Sequence, residues 1–535
     1  MNRSVLWILG LGLLVRGIIA VWLPPGYDEA YYYIYTQNPN WSFFDHPPFV
    51  AITTAIGLWL SFETVSQFTI RIGTLLIHTA TLALLYHAAR RLFDERIGKL
   101  TLILASLMPI FMVAFGTLTL PDVPLMFFWV AALWGAIEEF FGAGPSENYK
   151  PTYRLAIISV LVGMACLSKY HGLLLGAGLI GFCLTAPPFR KALTSPWILL
   201  GLLGFGITIM PVVIWNADHN WESFTFQAGR SVPATQFSIV RAIEALGVQS
   251  LYLYPFLGVP LIWVTARSLL QQLRSPFNRR RREAEPDFIL KQRLILWLSA
   301  PVILIFSFVG GYRQILPTWT MPGWFIATLL LACRVAIWQQ KAPKITRRWL
   351  TGCAVSIVII LGIALGHISF GIAQKPSQNT VFGGLVPIAL DPSTQLLDVV
   401  QLRQNFRKQP EMVKALRQSD FIFSNRYHLA GHFAMALDPI FPKPMTCFDP
   451  DDMRGFAYWS RKDDWVGKTG LYLTTQELHI KENSVATYEK YFKTVKKIGE
   501  IPLYRGGYEV NRIFVYQGVE LLKPFPRPLQ NSKGA

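Results

Sequence analysis

The chain has 535 residues, a formal charge of +18, 52% hydrophobic residues and only 15% charged ones. Apolar runs of about 18–25 residues recur along it, which points to a polytopic helical membrane protein and away from a soluble domain. Many of the arginines lie in short loops between those runs, so the basic balance reads as membrane topology and not as nucleic-acid binding. Cys166, Cys183, Cys333 and Cys353 fall in apolar segments and Cys447 alone in a polar one, so no disulfide framework is implied.

The first apolar run, Val5 to Leu23, stops at Pro24-Pro25. It lacks a small-x-small cleavage site and reads as an uncleaved first helix, not a signal peptide. Gly26 to Pro48 follows, GYDEAYYYIYTQNPNWSFFDHPP, and from Gly17 to Ile70 there is no Lys or Arg. Such a stretch reads as the outer side of the membrane. Pro48 to Phe62 is apolar, but as a helix it reaches only about 21 Å, too short for a hydrocarbon core of about 30 Å. It is expected to lie along the outer interface.

Eleven spans are expected, at approximately 4–23, 68–91, 98–118, 121–141, 155–169, 171–187, 196–215, 244–267, 293–310, 321–341 and 349–372. The loops expected inside are basic, among them Arg90, Arg91, Arg96 and Lys99, then Arg190 and Lys191, then the run Arg279 to Arg282 as a topology determinant. Leu155 to Pro187 also reads as one long tilted helix, but merging it would put that arginine run outside. Two short spans joined near Lys169-Tyr170-His171 keep the inside loops basic. The membrane part is thus assigned to residues 1–373, with a first outer loop at 24–67, and residues 374–535 to a soluble domain outside. That domain mixes a helix-like stretch (Leu396 to Gln418) with strand-like runs (Phe421 to Ser424, Gly470 to Thr474, Arg512 to Tyr516), the pattern of a small α/β domain. The N-terminus is expected in the cytoplasm of a bacterial inner membrane.

Unusual residues collect on the side read as outer: Asp28 and Glu29 after the first span, Asp45-His46, Asp122 after Pro121, Lys169 and Tyr170 at the fifth-to-sixth turn, and Arg313 in an otherwise apolar loop. Carboxylates beside a few cations suit a phospholipid-linked substrate, the cations neutralising a phosphate and a carboxylate accepting a proton from an attacking group. Each also has a structural reading. Asp122 suits a helix N-terminus, Lys169 suits snorkelling to the outer interface, Arg16 suits snorkelling or pairing with a buried acid, His46 suits a helix cap, and the tyrosines at 31–33 suit an aromatic belt.

The runs GYDEAYYYIY, FDHPPFVA, TLTLPDVPLMFFW, GMACLSKYHGLLL and LPTWTMPGW occur in this order. Together they resemble bacterial GT-C class proteins of glycosyltransferase family 39, relatives of protein O-mannosyltransferases and lipid A aminoarabinose transferases. The resemblance covers about residues 5–340 and implies a multi-span enzyme that takes a sugar from a polyprenyl-phosphate carrier with inversion. It puts the family's acidic motif on Asp28-Glu29 as the catalytic pair, with Asp28 as the base. Its later motifs fall on Pro121-Asp122 and on Ser168-Lys169-Tyr170. Lys169 and Arg313 are assigned to the donor phosphate, and Asp122, Tyr170, Asp45 and His46 to substrate binding. Some relatives hold a divalent metal; no ligand set is assigned here, so a metal is left open. The partners expected are the polyprenyl-phosphate sugar donor, membrane lipids and a lipid, glycan or protein acceptor, with no nucleic acid. A transporter or flippase for lipid-linked sugars is the rival reading, disfavoured because the unusual residues gather at one face and not at the midplane.

Overall fold

The computed structural model describes residues 2–142, 148–231, 236–274, 287–381 and 383–527. The arginine run at 279–282 lies outside the described residues. In chain order the helices are α1 (Arg3–Trp22), α2 (Tyr27–Gln37), α3 (Phe49–Leu60), α4 (Ile72–Leu92), α5 (Glu95–Leu107), α6 (Pro109–Met112), α7 (Asp122–Phe141), α8 (Arg154–Ser168), α9 (Gly172–Thr185), α10 (Pro196–Asp218), α11 (Glu222–Ser231), α12 (Ile239–Tyr252), α13 (Pro255–Arg274), α14 (Asp287–Gly310), α15 (Met321–Lys341) and α16 (Pro343–Phe370). The C-terminal part holds β1 (Gln374–Lys375), β2 (Val386–Pro387), α17 (Val399–Arg407), α18 (Pro410–Gln418), β3 (Phe421–Ser424), α19 (Tyr427–Leu437), β4 (Met445–Cys447), β5 (Gly470–Thr475), α20 (Gln476–Glu482), α21 (Ser484–Tyr488), β6 (Phe492–Arg505) and β7 (Tyr508–Leu521).

Among the described residues, seven helical segments are long and apolar enough to cross a membrane, which makes the chain an integral membrane protein. The expected spans differ from the helices where proline intervenes. The run at 98–118 is not one helix: Pro109 separates α5 from α6. The run at 244–267 is also two helices, because Tyr254 takes a left-handed backbone (φ 68°) immediately before Pro255. Leu155 to Pro187 is two helices, α8 and α9, breaking at Lys169-Tyr170-His171 as the loop charges required. The apolar stretch after Pro48 forms α3, whose 12 residues are too few to span.

Contacts divide the chain into two compact units. The first comprises residues 1–16, 46–50 and 74–359, and its described residues form helices and no strand. Its central element is α15, buried over most of its length, while α10 exposes nearly all of its apolar surface, as a lipid-facing helix does. Arg16 is 1% exposed there; its Nη2 donates to the Thr79 hydroxyl at 2.9 Å, and Gly116 lets its stem pass, since a Cβ at that position would fall 2.5 Å from Arg16 Cδ. Arg16 therefore does not snorkel.

The second unit comprises residues 17–45, 51–73 and 360–535. Its five-stranded sheet has the order β4-β3-β5-β7-β6, with β4, β3 and β5 parallel and the β6–β7 hairpin antiparallel. The strand-like runs read from the sequence lie in β3, β5 and β7. The helix-like stretch Leu396 to Gln418 is two helices, α17 and α18, parted at Gln409-Pro410.

Within this unit α2 packs against α19. Tyr31, Tyr32 and Tyr33 are at most 2% exposed, so they are core residues and not an aromatic belt. The backbones meet at Gly431, where a Cβ would lie 2.3 Å from the carbonyl of Ala30 and 2.6 Å from the nitrogen of Tyr31. Gly431→Val should push α19 off α2 and destabilise the unit by about 1–3 kcal/mol. Thermal denaturation of the purified protein in lipid checks this, and an unchanged midpoint would contradict it.

Candidate functional site

In the second unit, Pro24-Pro25 ends α1 and Gly26 starts α2 with an extended backbone. Asp28 and Glu29 then occupy the first turn, where the helix N-terminus favours negative charge. They take opposite environments. Asp28 is exposed, whereas Glu29 is 1% exposed and bidentate with Arg71, its Oε1 accepting from Nε at 2.8 Å and its Oε2 from Nη2 at 2.6 Å. Glu29 Oε2 also accepts from the Gly26 backbone N–H at 2.9 Å.

Arg71 has a second task. Its Nη1 donates to the carbonyls of Ala20 (3.0 Å) and Leu23 (2.6 Å), and its Nη2 to that of Pro24 (3.0 Å). One guanidinium thus caps the C-terminus of α1 and, through Glu29, fixes the N-terminus of α2. With both oxygens engaged, Glu29 holds the first turn of α2, on which Asp28 also lies. Sequence reasoning missed Arg71; the available signal was that it is the first basic residue after the stretch with none.

Asp45, 1% exposed, accepts from the Tyr31 hydroxyl at 3.2 Å, from the Tyr35 hydroxyl, and from Arg454 Nη1 at 3.2 Å. Tyr31 in turn accepts from the Gly455 N–H at 2.9 Å. Burial first, then the Asp45 charge, pushes the phenols of Tyr31 and Tyr35 well above their ordinary range, so both stay protonated donors. The Arg454 guanidinium, pushed down by burial but up more strongly by Asp45 and its neighbours, stays charged and lies 4.6 Å over the Tyr427 ring. Asp45 therefore fastens the loop at residue 454 to α2. On another flank of α2, Tyr33, Arg403 and Asp438 line a cleft of about 380 Å³, and Tyr33 donates to Asp438 at 2.8 Å. Burial raises the Asp438 pKa to about 6. The unfolded carboxyl ionises first as pH rises, so this group's contribution to stability is present in acid and lost as pH passes through about 6. Asp438→Asn should therefore raise the denaturation temperature at pH 8 and leave it unchanged at pH 4.

In the first unit, Asp122 opens α7 directly after Pro121, and Lys169 ends α8. The Lys169 ammonium lies 2.8 and 2.9 Å from the two Asp122 oxygens, and both side chains are buried. Tyr170 hydrogen bonds Ser223 at 2.7 Å, and His171 stacks on Phe306 with ring centres 4.6 Å apart. Arg313 follows α14, half-buried, with Nη1 3.5 Å from the Gly229 carbonyl. His46 lies half-buried in the bend before α3. Among the described residues no group of three or more His, Cys, Asp or Glu could hold a metal ion.

The family model of dolichyl-phosphate-mannose-protein mannosyltransferases matches residues 45–215. A lipid A galacturonosyltransferase of Rhizobium johnstonii is 24% identical over 333 residues, 61% of this chain. The match spans 63% of that relative's length, less than two thirds. Crystal structures of ArnT from Cupriavidus metallidurans, apo and bound to undecaprenyl phosphate, match with a TM-score of 0.60 at 14% identity. They cover 96% of this chain and 97% and 98% of theirs. The chain therefore has the GT-C fold seen in ArnT and, over residues 45–215, a match to the mannosyltransferase family model.

Proposed function

We propose that this chain is a glycosyltransferase that moves a sugar from a polyprenyl-phosphate donor to a lipid, glycan or protein acceptor on the outer face of a bacterial inner membrane. Its N-terminus is in the cytoplasm, and residues 374–535 form a domain outside. The observation that carries the reading is the division of labour at the start of α2. A buried Glu29–Arg71 pair holds the turn rigid, and Asp28 beside it stays exposed. That is how a base is presented to a substrate. The likeness to an ArnT structure holding undecaprenyl phosphate and to a lipid A galacturonosyltransferase supports a lipid-phosphate donor.

In the reaction, the acceptor oxygen attacks the anomeric carbon from the face opposite the phosphate. The bond from that carbon to the phosphate oxygen breaks, polyprenyl phosphate departs, and Asp28 takes the acceptor proton. A single displacement inverts the anomeric centre. Lys169 and Arg313 are assigned to the donor phosphate. Lys169 comes to that task already paired with Asp122, which fixes its ammonium in place. Lys169→Met should raise the donor KM by about 10–100-fold, the worth of a charge-assisted hydrogen bond, with Lys169→Arg recovering part of it.

The test is a panel of radiolabelled polyprenyl-phosphate sugars given to the purified protein in lipid, with envelope extract as acceptor. Label in the acceptor fraction is expected for one donor. No transfer from any donor, together with movement of intact labelled lipid between leaflets, overturns the reading in favour of a flippase.

A further inference from the structure

The first turn of α19 brings two side chains beside Asp28 that the reading above leaves without a role. α19 is held against α2 by the close approach at Gly431 and by His432, whose Nε2 lies 3.1 Å from the Pro25 carbonyl and whose Nδ1 lies 2.8 Å from that of His428. The His428 ring contacts Tyr27 with centres 4.6 Å apart and Tyr427 at 5.3 Å. Tyr27 is turned away by its own bond, its hydroxyl donating to Gln395 at 2.9 Å. Tyr427 is close enough to Asp28 to feel its charge: burial first pushes the Tyr427 phenol up to about 12, Arg454 opposes, and Asp28 adds to the rise. Both Tyr427 and His428 are half-buried. Among the described residues neither the Tyr427 hydroxyl nor a His428 ring nitrogen makes a hydrogen bond, and neither counts among the fully buried polar atoms.

We infer that Tyr427 and His428 form an acceptor subsite beside Asp28 and that its ligand is a carbohydrate ring of the acceptor. This rests on the reading of Asp28 as the base. The rings of Tyr27 and His428 offer aromatic surface suited to the C–H face of a sugar, the Tyr427 ring being covered on one side by Arg454, and the unused polar atoms of Tyr427 and His428 suit its hydroxyls. Burial holds the His428 pKa down at about 3, so its imidazole is neutral and offers one donor and one acceptor, the combination a hydroxyl needs. The same segment of the second unit thereby supplies acceptor recognition next to the group that takes the acceptor proton.

Tyr427→Phe and His428→Phe test this: the first keeps its ring and loses only the hydroxyl, and the second keeps an aromatic ring, slightly larger, and loses both ring nitrogens. Binding of a dansyl-labelled envelope glycolipid fraction to the full-length protein in nanodiscs is measured first, without donor. Transfer, and donor hydrolysis in the absence of acceptor, are measured next. Each variant should bind the glycolipid about tenfold more weakly and raise the acceptor KM to match. Donor hydrolysis and the thermal midpoint should stay unchanged. Periodate treatment of the glycolipid, which cleaves vicinal diols, should abolish binding to wild type. Unchanged binding in both variants, equal loss of transfer and hydrolysis, or an acceptor destroyed by protease but not by periodate would each overturn the inference. Weakened binding in the variants when wild type transfers from no donor would uphold the subsite and sink the catalytic reading, so the two failures are distinct.

Discussion

Asp28→Asn should lower sugar transfer by about 10²–10⁴-fold, the span covered by a positioned general base, while leaving the protein folded. The stability half of this expectation follows from place: Asp28 is exposed on the first turn of α2, and the pair that holds this turn is Glu29–Arg71. Replacing the charge by an amide forgoes about 0.3–1 kcal/mol of helix-dipole stabilisation at this exposed position, so little helix stability is lost. Donor binding should survive, and the loss should fall on kcat and kcat/KM together, as it does when an interaction made only in the transition state is removed. Single-turnover transfer with wild type and variant in the same lipid, beside thermal denaturation, makes the measurement. A stably folded Asp28→Asn with wild-type turnover would remove Asp28 from the chemistry.

Arg71→Met should be the most damaging single change to the fold at this site. The guanidinium is fully buried, as is its partner, and deleting it strands the Glu29 carboxylate without its cation. Breaking a buried pair from one side costs about 3–5 kcal/mol. The carbonyls of Ala20, Leu23 and Pro24 lose their donor in the same step, which adds to the cost. Removing both charges should be milder than removing one, so Arg71→Met with Glu29→Leu is expected to recover part of the loss. Activity in these variants should fall with the folded fraction, measured by residual soluble protein after heating. Glu29→Gln gives the complementary reading. If Glu29 positions Asp28, its variant should lose transfer and stability in parallel; loss of transfer at full stability would make it a direct participant.

The candidate site was partly legible before any fold was known. Asp28-Glu29 stood out because carboxylates follow an apolar run and a Pro-Pro break with no base nearby, a local pattern. Their division into an exposed residue and a locked one was not legible. Glu29 finds Arg71 42 residues away, and only packing brings them together. Tyr31 looked like a membrane-edge aromatic because the chain that buries it, around residues 427–459, comes some 400 residues later. Asp122 and Lys169 were each noticed singly, and their pairing across 47 residues was not.

What the sequence determined by itself is whatever depends on near neighbours along the chain. Apolar length and loop charge gave the membrane class, Pro24-Pro25 ended α1, and short runs of apolar residues marked β3 and β5. The prolines at 109 and 255 carried the same kind of information, and the apolar runs through them concealed it. What only the tertiary structure decided is which charges are exposed and which are sealed in pairs. That choice depends on desolvation and on partners brought from distant segments, and neither is a property of any short stretch of chain.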